Sequence, residues 1–359
     1  MKNCLLILFT SFVISCNGKT PPEPIPKKPK NIIFLIGDGM GLAQIYSGMV
    51  TKGDALNIER FKCIGFHKTY SFNNIITDSA AGATAFSTGE KTYNGAIAVG
   101  PDSIPIETIL ETAEKKGLST GLVATSSITH ATPACFIAHV KSRALDEDIA
   151  SDFLKTDIDV FIGGGSSFFE KRTDGKNLLN DLKAKGYEVD TTKNEIISSK
   201  AKKLVGLYAA TQPDSATGVR GDILHKATQK CIDILSENQQ GFFMMAEGSQ
   251  IDWGGHANKQ TYIIQEMLDF DKAIGKALDF AEKDGNTLVI VTADHETGGF
   301  AITGGSIKDK KVEGKFISTY HTGVMIPVFA YGPGAENFTG IYQNTDIYKK
   351  MMEELGLKK

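Results

Sequence analysis

The chain has 359 residues, 41% hydrophobic and 23% charged, ordinary globular values that exclude disorder, collagen and coiled coil. Lys and Arg total 39 against 42 Asp and Glu, so a net charge of −3 offers no basic excess, and nucleic acid is not an expected partner. Five cysteines are too few for a disulfide scaffold, and a chain of this length buries a large core without one.

Lys2 precedes an apolar run from Cys4 to Ile14, too short for a membrane span but suited to the apolar segment of a secretory signal. Val13-Ile14-Ser15-Cys16 resembles a bacterial lipobox, in which the cysteine is lipidated and becomes the mature N-terminus. Residues 1–16 are therefore expected to be a lipoprotein-type signal peptide. The expected site of action is the periplasm, with a lipid holding the chain to a membrane. Five of the 11 prolines fall within residues 17–30, which favours an extended tether. Beyond the lipobox, Cys63, Cys135 and Cys231 allow at most one internal disulfide.

From residue 31 onward short apolar runs alternate with helical patterns. Strands are expected at Asn31–Ile36, Gly121–Thr125, Val160–Ile162, Leu204–Ala209, Phe242–Ala246, Thr287–Thr292 and Met325–Ala330. Several are apolar almost throughout, as strands covered on both faces require. Helices are expected at Ile106–Lys116, Lys176–Lys185, Asp222–Ser236 and Tyr262–Lys283, the last carrying Ile263, Met267, Phe270, Ile274 and Leu278 at helical spacing. The alternation predicts one three-layer α/β/α sandwich with a mostly parallel central sheet over residues 31–359. In such folds ligands bind beyond the carboxyl ends of the strands.

The reactive side chains fall there repeatedly. Gly37-Asp38-Gly39-Met40-Gly41 follows the first strand without dinucleotide spacing, and its glycines leave the Asp38 carboxylate exposed at a sharp turn. Thr77-Asp78-Ser79-Ala80-Ala81 opens a helix. Taken alone it favours Ser79 as an N-cap, although a serine there also lies in the positive field of the helix start. His130-Ala131-Thr132-Pro133 reads as a loop with Thr132 extended ahead of the proline. Arg143 is by default a surface helix arginine, but its guanidinium is well shaped for phosphate. Glu247, Asp252 and His256 lie within ten residues after a strand, and Asp252 and His256 converge either on a helix face or through the Gly254-Gly255 turn. Asp294-His295 ends another strand, and His321 opens a Gly-containing loop. Mixed His and carboxylate donors suit zinc, while Asp, Glu and Thr oxygens suit magnesium.

Taken in order, Gly-Asp38-Gly-Met-Gly, Thr-Asp-Ser79-Ala-Ala, His-Ala-Thr132-Pro, Ser-Arg143, Glu247-Gly-Ser-Gln-Ile-Asp252, Thr-Ala-Asp294-His295-Glu-Thr-Gly-Gly and His321-Thr-Gly resemble the alkaline phosphatase family, across essentially the whole span from Asn31. The resemblance implies a phosphate monoester hydrolase with two Zn²⁺ and one Mg²⁺. It implies one zinc on Asp252, His256 and His321, a second on Asp38, Asp294 and His295, and magnesium on Asp38, Thr132 and Glu247. It further implies Ser79 as nucleophile, forming a phosphoserine, and Arg143 as the phosphate clamp. Where some members carry Asp and Lys, this chain has His130 and Trp253, so the third site is expected to hold magnesium more weakly or to take another ion. Some members carry a large insertion between the positions of His295 and His321 that extends a homodimer contact. With only 25 residues between His295 and His321, a smaller dimer contact or a monomer is expected here.

Three rivals fare worse. A sulfatase needs Cys/Ser-x-Pro-x-Arg, and Ser79 is followed by Ala80-Ala81-Gly82-Ala83. Phosphodiesterases of this fold typically use a threonine and lack the arginine. A tethered phosphate-binding protein would need two lobes and no metal donors.

Overall fold

A computed structural model describes residues 28–358; the expected signal peptide and residues 17–27 of the expected tether lie outside the described residues. Fourteen strands are present among the described residues. Eight come first: β1 Asn31–Gly37, β2 Cys63–Lys68, β3 Ser119–Ser127, β4 Val160–Gly164, β5 Glu188–Asp190, β6 Leu204–Leu207, β7 Phe242–Gly248 and β8 Thr287–Thr292. Then follow β9 Glu296–Thr297, β10 Ala301–Ser306, β11 Lys311–Lys315, β12 His321–Thr322, β13 Ile326–Tyr331 and β14 Gly340–Gln343. Ten of them form one sheet in the order β14-β2-β13-β8-β1-β7-β3-β4-β6-β5, and β13 alone runs antiparallel to its neighbours. The expected mostly parallel sandwich is the fold observed.

The apolar runs explain the centre of that sheet. β1, β7 and β8 are buried at every position because helices cover both faces. Side chains alternate across β1: Ile32, Phe34 and Ile36 enter one core with Phe86, Phe136 and Phe243, while Ile33 and Leu35 enter the other with Phe270 and Ile274. The long helix Gln260–Asp284 supplies much of the second core from one face. Its observed bounds exceed the expected Tyr262–Lys283 by a few residues.

Other boundaries moved for local reasons. The helix expected from Ile106 begins at Ile109, because Thr108 caps it and exchanges bonds with Glu111 in a capping box. The strand expected to reach Ala209 ends at Leu207. Unanticipated are β2, β5 and β14, the β10–β11 hairpin, and helices Leu42–Lys52 and Asn344–Glu354. Cys63, Cys135 and Cys231 are all unpaired thiols. No helix among the described residues is long and apolar enough to cross a membrane.

Register places the chemistry. Gly37 pairs with Gly248 and Ile36 with Thr292, so the chain leaves β1, β7 and β8 side by side. Asp38, Glu247 and Asp294 therefore emerge on three adjacent strands, at the end where ligands bind in such sheets.

Candidate metal centre

Asp38 turns into the site because Gly39 takes φ +73°, a left-handed conformation costly for other residues. A Cβ there would also lie 2.7 Å from both the Asp252 backbone and Thr297 Oγ1, so the glycine lets the helix that follows β7 close in. That helix, Gln250–His256, carries Asp252 and His256 one turn apart on one face. The alternative left open by Gly254-Gly255 is thereby settled as helix, with Gly255 packed so tightly on Thr297 that a Cβ would meet its side chain at 2.8 Å.

Three donor sets converge: Asp252, His256 and His321; Asp38, Asp294 and His295; and Asp38, Glu247 and His130, each with its donor atoms within 4.8 Å of one another. In the first, His256 Nε2 lies 3.3 Å from Asp252 Oδ2, and His321 Nε2 lies 3.2 Å from His256 Nε2. In the second, His295 Nε2 lies 3.1 Å from Asp294 Oδ2 and 3.6 Å from Asp38 Oδ1. The two sets adjoin, with the His295 and His321 rings stacked at 3.5 Å.

The histidines are oriented alike. His256 Nδ1 lies 2.7 Å from the Thr319 carbonyl and His321 Nδ1 2.8 Å from the Thr77 carbonyl. A carbonyl accepts only, so each Nδ1 carries the hydrogen and each Nε2 offers a lone pair inward, as metal-bound histidines do. Asp38 Oδ2 and Glu247 Oε1 are buried with no hydrogen-bond partner among the described residues. Such orphaned carboxylate oxygens, beside inward imidazole lone pairs, fit zinc at the mixed sets and a harder cation at the oxygen-rich one.

Ser79 Oγ lies 3.3 Å from His295 Nε2 and 3.5 Å from Asp38 Oδ1. It is the first residue of helix Ser79–Thr88, so its hydroxyl faces the positive helix end. The cap is Asp78, not Ser79, because the Asp78 carboxylate accepts from Ala81 N. Arg143 sits in a turn before helix Asp146–Asp152 rather than on a helix surface. Its Nη1 donates to Asp78 Oδ2 at 3.1 Å, and Nη2 reaches His130 Nε2 at 3.2 Å. Trp253 stands edge-on to His130, ring centroids 6.1 Å apart. Thr132 departs from expectation. It lies inside the short helix Ala131–Ala134, and the extended residue is His130; Pro133 is tolerated because the first helical turn needs no N–H bonds.

Electrostatics mark the site as short of positive charge. Burial, then Asp294, raises the Asp38 carboxyl well above its ordinary range. Burial likewise pushes Glu247 up to about 7. Burial opposes charge on His295, but adjacent Asp294 prevails and raises it. His130 falls to about 3, through burial and then the Arg143 charge.

Every expected site residue thus lies in or beside this centre. Sequence reasoning overlooked three contributors. Asp78 holds Arg143, and Thr297 bridges Asp252 and His295. Buried Glu296 accepts from Gln44 Nε2 and Phe300 N and also from the Thr322 hydroxyl, and nothing in its local sequence signals that.

The alkaline phosphatase family model matches residues 29–316. This chain belongs to the alkaline phosphatase family. Alkaline phosphatase 4 of Bacillus subtilis (strain 168) is 36% identical over 407 aligned residues, covering 88% of this chain and 87% of its own. Alkaline phosphatase from the Antarctic bacterium TAB5 superposes with a TM-score of 0.88 at 47% identity, over 93% of this chain and 99% of that one. A His-to-Asp variant of the TAB5 enzyme, 46% identical with a TM-score of 0.87 over the same shares, is described with Mg bound in its M3 site. The protein is a phosphatase, and its site gathers three groups of residues that could hold metal ions.

Proposed function

We propose that this alkaline phosphatase family member hydrolyses phosphate monoesters through a phosphoserine at Ser79, using two Zn²⁺ and one Mg²⁺. The observation that carries the reading is the meeting of three donor sets beside one hydroxyl at a helix start. Asp252, His256 and His321 would hold one zinc, Asp38, Asp294 and His295 the other, and Asp38, Thr132 and Glu247 the magnesium. The cations would lower the pKa of the serine hydroxyl and neutralise charge growing on the leaving oxygen.

The Ser79 hydroxyl gives its proton to solvent and Oγ bonds to phosphorus as the bond to the leaving oxygen breaks; the released alkoxide takes a proton from solvent and departs as an alcohol. Water then attacks the phosphoserine, restoring Ser79 and freeing inorganic phosphate. The helix N–H groups behind Ser79 face the phosphate. Arg143, aimed by Asp78, binds two non-bridging oxygens. A monoester has three such oxygens and a diester two. With one needed at the cation-binding groups, only the monoester leaves two for the fork.

Ser79→Ala is expected to abolish phosphoserine trapping and nearly all turnover, while p-nitrophenyl phosphate is cleaved far faster than the bis ester by the wild type. Normal activity of the alanine variant, or preference for the bis ester, would overturn the reading. His130 lies beside Asp38 and Glu247, which supports weaker magnesium binding here than in a chain with Asp at that point. The apolar run Cys4–Ile14 and Cys16 support action in the periplasm from a lipid anchor. Cys16→Ser should release the enzyme from membranes in a fractionation assay.

A further inference from the structure

We infer that Thr297 is a positioning residue that couples the two proposed zinc sites, its single hydroxyl orienting one ligand in each. The inference rests on the metal reading above. Thr297 is fully buried in β9, where its backbone partner across the two-stranded ladder is His321 itself. Its Oγ1 lies 2.5 Å from Asp252 Oδ1, in the first donor set, and 3.2 Å from His295 Nδ1, in the second. One side chain therefore touches a ligand of each set, and its backbone pairs with a third.

Proton accounting gives the contact a direction. An ionised carboxylate can only accept, so the Thr297 hydroxyl donates its one hydrogen to Asp252. Toward His295 it has only lone pairs left, so His295 Nδ1 must be the donor. That assigns the Nδ1–H form and leaves the Nε2 lone pair facing Asp38 and Asp294. Backbone carbonyls impose the same form on His256 and His321. His295 is the one zinc-set histidine whose form rests on a side chain, and that side chain also holds the neighbouring set. The position is built closely: Cβ atoms at Gly39 and Gly255 would each come within 3 Å of Thr297.

The test is zinc affinity of the full chain by chelator competition, for wild type, Thr297→Val and Thr297→Ser. Valine keeps the shape and loses the hydroxyl; serine keeps the hydroxyl. Valine should weaken binding of both zincs together by about 10–100-fold, the usual effect of losing an outer hydrogen-bond partner, and serine should restore most of it. In the zinc-loaded protein, ¹⁵N-resolved NMR should show a slowly exchanging His295 Nδ1–H in wild type and serine, lost in valine. Melting of the chelated proteins checks that all three fold. Wild-type affinity in the valine variant, weakening of one zinc alone, or no Nδ1–H on His295 in the wild type would each overturn the inference. A wild-type chain that binds no zinc would instead overturn the metal reading. Should valine fail to fold, the serine affinity and the wild-type signal decide.

Discussion

Two buried clusters of carboxylates in this molecule are handled in opposite ways. Behind the sheet, Glu266 and Asp269 on helix Gln260–Asp284 meet Arg220: Nη1 donates to Asp269 Oδ2 at 2.9 Å and Nη2 to Glu266 Oε2 at 2.5 Å. Ala216 N completes Glu266, and Arg220 Nε donates to the Asp214 carbonyl. At the strand ends, Asp38, Glu247, Asp252 and Asp294 crowd together, and the guanidinium that faces them, Arg143, is already bound to Asp78. The first cluster carries its counter-charge within the chain. The second leaves Asp38 Oδ2 and Glu247 Oε1 without hydrogen-bond partners, as expected where cations come from outside, whereas the one such oxygen of the first, Asp269 Oδ1, has Lys272 Nζ 4.0 Å away.

The largest contrast should come from Asp38→Asn. Removing a donor shared by two sets should cut kcat/KM by a factor of 10³ or more, on the order of several kcal/mol of lost charge stabilisation. The same change should raise the melting temperature of the chelated protein, since burial and neighbouring carboxylates already oppose a charged Asp38. A lower melting temperature would break the comparison. In the Arg220 cluster the sign reverses: Arg220→Met strands two buried carboxylates and should cost about 3–5 kcal/mol in denaturant unfolding, with activity per folded molecule retained.

Zinc at about 100 times its dissociation constant should stabilise the wild type by about 2.7 kcal/mol, an effect read by thermal melting with and without chelator. Glu247 sharpens the point through pH. Its folded pKa, raised to about 7 from 4.5 chiefly by burial, means that the metal-free fold keeps a proton the unfolded chain has released. Its contribution to metal-free stability is therefore lost as pH rises from 4.5 through about 7. Glu247→Gln should flatten that part of the melting-versus-pH curve, and an unchanged slope would refute the assignment. The smallest effect expected is from His130→Asp, which should tighten magnesium binding measured by titration calorimetry.

How far the site could be read from the chain differs by residue. Asp38, Asp294 and Glu247 were legible because β1, β7 and β8 are continuous apolar runs ending in glycine or reactive residues. β2 and β14 were not legible: Cys63–Lys68 mixes buried and exposed positions irregularly, and Gly340–Gln343 is too short to show a period. Of the two readings open for Arg143, the helix-surface default does not hold, because local pattern cannot reveal a turn held against Asp78. The extended backbone expected of Thr132 is not observed, because pre-proline bias favours extension and the first turn of a helix escapes that bias.

Local patterning alone determined the layered fold, the strand ends and the kinds of donor that lie on them, because burial on both sheet faces and the turn chemistry of glycine act within a few residues. Only the tertiary structure decided which donors share an ion-sized space, that Asp78 aims Arg143, and that Thr297 lies between two donor sets. Those contacts join residues on different elements, 65 positions apart for Asp78 and Arg143 and 45 for Asp252 and Thr297, and their geometry follows from strand order and register, which no short stretch of sequence contains.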